Sequence, residues 1–168
     1  NIAELYRYNG DKQFLAKMWP HVLGAYAYME KLRLSERTEA NRAINPAFYG
    51  MMPASISHEG YSAKPMHSYW DNFWALRGYK DAVDVALLLG KAEYVERFTA
   101  SRDQFREDLD ASLRAAAKLH GINFLPGAAE LGDFDATSTT IALAPGGEQG
   151  RLPQDLLENT FERYWKEF

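Results

Sequence analysis

Apolar residues recur at spacings of three and four over most of the chain, the period of an amphipathic helix. Phe14, Met18, Val22, Tyr26 and Met29 mark one such face. Asp11 stands where a capping side chain belongs, so a helix is predicted from Lys12 to residues 32–35. Pro20 falls inside it and should remove one backbone hydrogen bond, bending the helix near residues 16–18. Residues 2–8 read as the tail of a preceding helix.

From Arg37 to Met66 no period holds, and Pro46, Gly50, Pro53, Gly60 and Pro65 punctuate the stretch. It reads as a connection of roughly thirty residues, against the usual ~4–6. Its apolar content, from Phe48 to Tyr61, implies that it packs. A second helix is predicted over residues 68–89, closed by Gly90, with Tyr69, Phe73, Leu76, Val83 and Leu87 on one face. Trp70 and Trp74 lie beside that face, and Gly78 inside the helix permits a close approach or a break. A third helix spans residues 92–120, with Tyr94, Phe98, Phe105, Leu109, Leu113 and Ala117 as its stripe and Gly121 as its stop. A loop, a short helix over 136–143, a Gly-rich loop and a final helix from Pro153 complete the order. No strand is predicted. The fold class read from this pattern is all-α, built of antiparallel helical hairpins in one domain over residues 1–168.

The length of 168 residues suits one compact domain. With 46% hydrophobic and 25% charged residues the chain is that of a folded protein. The net charge of −4, without a basic stripe, argues against nucleic acid as a partner. No apolar run is long enough to span a bilayer, so no membrane partner is expected. The absence of cysteine excludes disulfides and thiolate metal sites but leaves the compartment open. The first residue, Asn1, and the last residues, YWKEF, which read as the inside of a helix, suggest the cut edges of a longer protein.

Aromatic residues reach 14%, and they concentrate with carboxylates in residues 49–78. Hydrolysis of a glycosidic bond needs a carboxylic acid to protonate the leaving oxygen, a second carboxylate, and flat faces on which a sugar stacks. Glu59, between His58 and Tyr61, is the candidate acid; its alternative is a loop glutamate paired with a lysine. Asp71, one turn into a helix, is either a sugar hydrogen-bond partner or a residue that favours the helix N-terminus. Trp70 and Trp74, four apart, form either a sugar platform or core. His58, Glu59 and His67 lack the spacing of a helical metal site, and neither metal nor cofactor is expected.

The run P-M-H-S-Y-W-D-N-F-W-A-L-R-G-Y-K-D-A, preceded by E-G-Y and followed by L-L-G, resembles the six-hairpin, (α/α)6-toroid glycosidases, both glucoamylase-like and trehalase-like. Residues 11–29, with their Trp-Pro, resemble the helix before the acid loop. Residues 132–145 resemble the Asp-containing segment after the next hairpin, and Asp135 matches its aspartate. The resemblance implies an (α/α)6 toroid, of which this chain would be part of the catalytic domain. It implies Glu59 as general acid and Tyr49, His58, Tyr61, His67, Trp70, Asp71, Trp74 and Asp135 as residues around a carbohydrate substrate. No segment matches the late loop that carries the family's catalytic base, so this chain alone is expected to be inactive. Helix flanks left uncovered by a partial toroid would pair two copies, with Leu5, Leu156, Phe161 and Trp165 as the expected contact. The alternative reading is a non-catalytic helical-hairpin module that binds a protein or a glycan.

Overall fold

The structure is a computed structural model, and it describes every residue except Glu59, Ser62 and Phe168. Seven α-helices are described: α1 (Ile2–Asn9), α2 (Lys12–Glu36), α3 (Glu39–Ile44), α4 (Tyr69–Leu88), α5 (Ala92–His120), α6 (Ala136–Leu143) and α7 (Gln154–Glu167). One turn of 3₁₀ helix, Pro46–Phe48, follows α3. Among the described residues there is no strand, only isolated bridges at Ser55–Met66, Ser68–Ala128 and Pro126–Phe134. The protein is all-α.

Local chemistry sets most boundaries. The Asp11 carboxylate accepts the Gln13 and Phe14 amides and starts α2. Asp135 does the same for Thr137 and Ser138 at α6. Gly121, in the left-handed conformation that costs glycine little, ends α5 with its N–H on the Ala117 and Lys118 carbonyls. Pro20 does not interrupt α2. It sits on the exposed side with Ala16, whose carbonyl loses its intrahelical donor, so water can satisfy that oxygen.

Three long helices hold the core. The Tyr69 hydroxyl is 2.9 Å from Ser112 Oγ, and the Tyr79 and Phe105 rings are 5.4 Å apart, so α4 and α5 run antiparallel as a hairpin about Gly90. Against α2, Tyr26 meets Ser101, Arg33 meets Gln104 and Arg37 meets Asp108, so α2 runs parallel to α5. Gly78 of α4 lies so close to α2 that a Cβ there would stand 3.2 Å from Met29 Sδ, which is why a glycine is accommodated in mid-helix. Tyr26, Phe73, Leu76, Tyr79, Phe98, Phe105 and Leu113 are buried between these helices.

Several positions differ from the periodic reading. Residues 37–66 are not wholly irregular, because Thr38 caps the six-residue α3 and Asn45 caps the 3₁₀ turn. The buried line of α2 passes through Leu15, Val22, Tyr26 and Arg33, with Phe14 and Met18 half-buried beside it. Leu87 is 59% exposed, on the outer side of α4 with Asp84, while Val85 and Ala86 beside it are buried. Of the residues expected on an uncovered flank, Leu156 is buried and Phe161 packs against the core, whereas Leu5 and Trp165 are exposed. No helix among the described residues is long and apolar enough to cross a membrane.

This arrangement has one consequence for chemistry. The C-terminus of α2, the N-terminus of α4 and the C-terminus of α5 all fall at the same end of the bundle. The connections 37–68 and 121–135 must therefore meet there.

Candidate functional site

The first wall is built on the N-terminal turn of α4. Ser68 occupies the cap position and Asp71 lies in the first turn, where the helix dipole favours a negative charge. The Asp71 carboxylate accepts Ser55 Oγ–H at 2.5 Å and Ser57 Oγ–H at 3.2 Å. Ser57 Oγ also reaches Ser68 Oγ at 3.0 Å. Ser55 is held in register by a reciprocal backbone pair with Met66, at 2.9 and 3.0 Å. Ser57 adopts φ 53°, a left-handed conformation uncommon for a residue with a Cβ. Its amide donates to Ser55 Oγ at 2.9 Å, so the side chains around Asp71 hold that conformation. The Tyr61 amide then donates to the Ile56 carbonyl at 2.8 Å and closes the loop between them.

Aromatic rings continue this wall along the helix. The His58 ring stacks on Trp70 at 4.5 Å and 27°, and Trp70 meets Trp74 edge-on at 5.8 Å. Trp74 is 39% exposed and Trp70 half-buried, so the pair is a surface platform partly in contact with solvent.

The second wall is the 126–135 segment. Tyr69 donates its amide to Gly127 O at 2.9 Å, and Ala129 donates to His67 O at 3.0 Å. Asp133 accepts the Ala128 amide on Oδ1 at 2.9 Å and faces the Tyr61 hydroxyl with Oδ2 at 3.4 Å. A Cβ on Gly127 would stand 2.7 Å from Asp135 Cβ and 2.8 Å from Asp133 Oδ2, so only glycine lets the two aspartates close around this turn. Asp135 caps α6 and also accepts the Ser138 hydroxyl.

Behind the walls lies a pair of which His67 is buried and Glu130 half-buried. His67 Nδ1 is 2.6 Å from Glu130 Oε1, and the His67 amide donates to Glu130 Oε2 at 2.9 Å. The ring stacks on Phe48 at 4.2 Å and 14°. Burial pushes the Glu130 carboxyl up, but the hydrogen bonds and charge of His67 outweigh it and hold the group below the ordinary carboxylate value. Tyr69, fully buried, has its hydroxyl pushed well above the usual tyrosine range by that burial, with the Glu130 charge adding to it.

The residues singled out in the sequence are thus distributed over three settings. His58, Tyr61, Trp70, Asp71, Trp74 and Asp135 gather along or between the two walls. His67 is buried behind them, and Tyr49 has its ring covered by the Arg42 guanidinium at 3.8 Å and by that of Arg37 at 5.0 Å. Glu59, the candidate acid, lies outside the described residues. Ser55, Ser57, Glu130 and Asp133 join the site without having been singled out. Their signal is tertiary: each is defined by a partner 11 to 72 positions away. Among the described residues no group of three or more His, Asp or Glu is arranged to hold a metal ion.

Chemically, the arrangement offers ring faces for an apolar surface, carboxylate acceptors for hydroxyl groups, and serine hydroxyls that orient one of those carboxylates. No protein family, curated protein or solved structure matches this chain.

Proposed function

We propose that the chain forms part of the catalytic domain of a glycoside hydrolase and that its site binds the carbohydrate substrate. The observation that carries this reading is the His58–Trp70–Trp74 ring strip running beside Asp71, whose carboxylate two serines orient. A sugar presents one apolar face for stacking and an edge of hydroxyls for acceptors, and the strip and Asp71 offer both at one place. Glu59 is the proposed general acid, on the sequence resemblance to the six-hairpin glycosidases, with an (α/α)6 toroid as the parent architecture. Hydrolysis also requires a catalytic base, for which no residue of this chain is assigned.

Two measurements test the reading. Titration with a panel of oligosaccharides, followed by tryptophan fluorescence, should give saturable quenching that Trp70→Ala abolishes. In the hydrolysing protein, Glu59→Gln should lower turnover of unactivated substrates by about 10²- to 10⁴-fold and leave binding in place. Turnover that survives Glu59→Gln removes that residue from the mechanism. A panel without any saturable response removes the carbohydrate reading.

A further inference from the structure

His67 is enclosed by four segments of the chain. Its own segment, 63–68, leads into α4. Phe48 covers one face of the ring. Glu130 takes Nδ1 from the 126–131 segment, and Glu36 of the last turn of α2 faces Nε2 at 3.6 Å. Nε2 is buried and makes no hydrogen bond. The other ionisable groups around this junction are engaged elsewhere: Arg37 with Asp108 and the Tyr49 ring, Arg42 with the same ring, and Tyr69 with Ser112.

The arrangement is asymmetric in a way that depends on one proton. A 2.6 Å contact to an ionised carboxylate requires Nδ1 to carry hydrogen. A neutral ring then presents the Nε2 lone pair to Glu36, acceptor against acceptor. A second proton turns that contact into an attraction between imidazolium and carboxylate.

We propose that His67 is a proton-operated clamp that ties the end of α2 to the 126–131 segment when doubly protonated and releases the α2 side when neutral. The two carboxylates are carried by separate elements, so the proton on Nε2 changes the attachment of one element to the other and leaves the Glu130 contact intact. Because the 126–135 segment forms one wall of the candidate site, the clamp couples the rigidity of that wall to the proton on His67 Nε2.

The test is a two-bond ¹H–¹⁵N correlation of the histidine rings over about pH 5 to about pH 9, with His67 assigned by its loss in His67→Gln. It is paired with amide exchange at residues 33–37 and 128–131. In the wild type both ring nitrogens should be protonated in the acidic limb. Exchange at the two segments should slow together as Nε2 gains its proton. Glu36→Gln, which keeps an oxygen able to accept the Asn41 side-chain amide now bound to Glu36 Oε2, should move the His67 midpoint to lower pH and remove the coupled change in exchange. If His67→Gln does not fold, Glu36→Gln carries the test, the assignment then resting on the one histidine whose midpoint moves. A His67 midpoint unmoved by Glu36→Gln, or exchange at 128–131 that ignores the His67 charge, overturns the proposal.

Discussion

Arg33 presents two of its nitrogens to a single oxygen of Glu30: Nε lies 3.0 Å and Nη2 2.9 Å from Glu30 Oε1. The guanidinium is 1% exposed, on the core side of α2. The same oxygen accepts the Tyr79 hydroxyl at 2.6 Å, and Ser101 donates to the other at 3.0 Å. Burial and the Glu30 bond push the Tyr79 hydroxyl well above the usual tyrosine range, so it remains a donor. One carboxylate thus joins α2, α4 and α5. Glu30→Ala would leave a buried cation without its main counter-charge and should cost about 3 to 5 kcal/mol, read as a lower denaturation midpoint. An unchanged midpoint would show the network to be energetically idle.

Glu148 supplies a pH dependence of stability. It is buried in the loop after α6 and is bonded by Lys80 at 2.8 Å and by Arg106 at 2.8 and 3.0 Å. Burial raises its affinity for protons, but the Arg106 and Lys80 contacts prevail and hold it below the ordinary value of 4.5. A carboxyl depressed on folding stabilises fully above its unfolded value and loses that contribution as pH falls through its folded one. Unfolding measured against pH should therefore show a loss of stability below about pH 4.5. Glu148→Gln should flatten that acid limb and weaken the protein at neutral pH by roughly 2 kcal/mol. An acid limb of unchanged slope would assign the loss to other carboxyls.

Gly127 should tolerate no side chain. The distances to Asp133 and Asp135 require the turn to open by several tenths of an ångström for Gly127→Ala. The expected result is a destabilisation of about 1 to 3 kcal/mol, with loss of the Tyr61–Asp133 contact visible in tyrosine chemical shifts. A variant as stable as the wild type with unchanged shifts would show that the two walls are less tightly joined than the geometry implies.

The two walls also separate binding from folding. Trp74→Ala removes a ring that is 39% exposed and should cost less than about 1 kcal/mol of stability. Asp71→Asn keeps the shape but halves the charge-assisted bonding of Ser55 and Ser57. Both should weaken oligosaccharide binding by about tenfold or more, measured calorimetrically. Equal affinity in both variants would detach the ring strip and Asp71 from any ligand.

The helices were legible in the sequence where local chemistry decides them. The start of α2 at Asp11, the stop of α5 at Gly121 and the start of α6 at Asp135 each rest on a cap within a few positions. Arg33 was not legible as a core residue, because a cation at the end of an apolar face reads as its limit until Glu30 and Gln104 close around it. The site divides in the same way. Trp70, Asp71 and Trp74 declare themselves by their spacing on one helix. Glu130 and Asp133 are ordinary loop acids until the α4–α5 hairpin carries their segment against residues 61–68. Leu87 shows the converse: its spacing fits the predicted stripe, but it turns outward with Asp84 while Val85 and Ala86 take the buried places.

That hairpin also bears on how the site comes into being during folding. Its two walls are separated by the whole of α4 and α5, a separation that would make direct closure slow in an otherwise unordered chain. Pairing of the two helices about Gly90 starts from a turn of a few residues and proceeds by contacts between near neighbours. Once it reaches Tyr69 and Ser112, the 55–68 and 126–135 segments are already side by side. The walls should therefore assemble as a by-product of zipping a local structure, after the core they stand on.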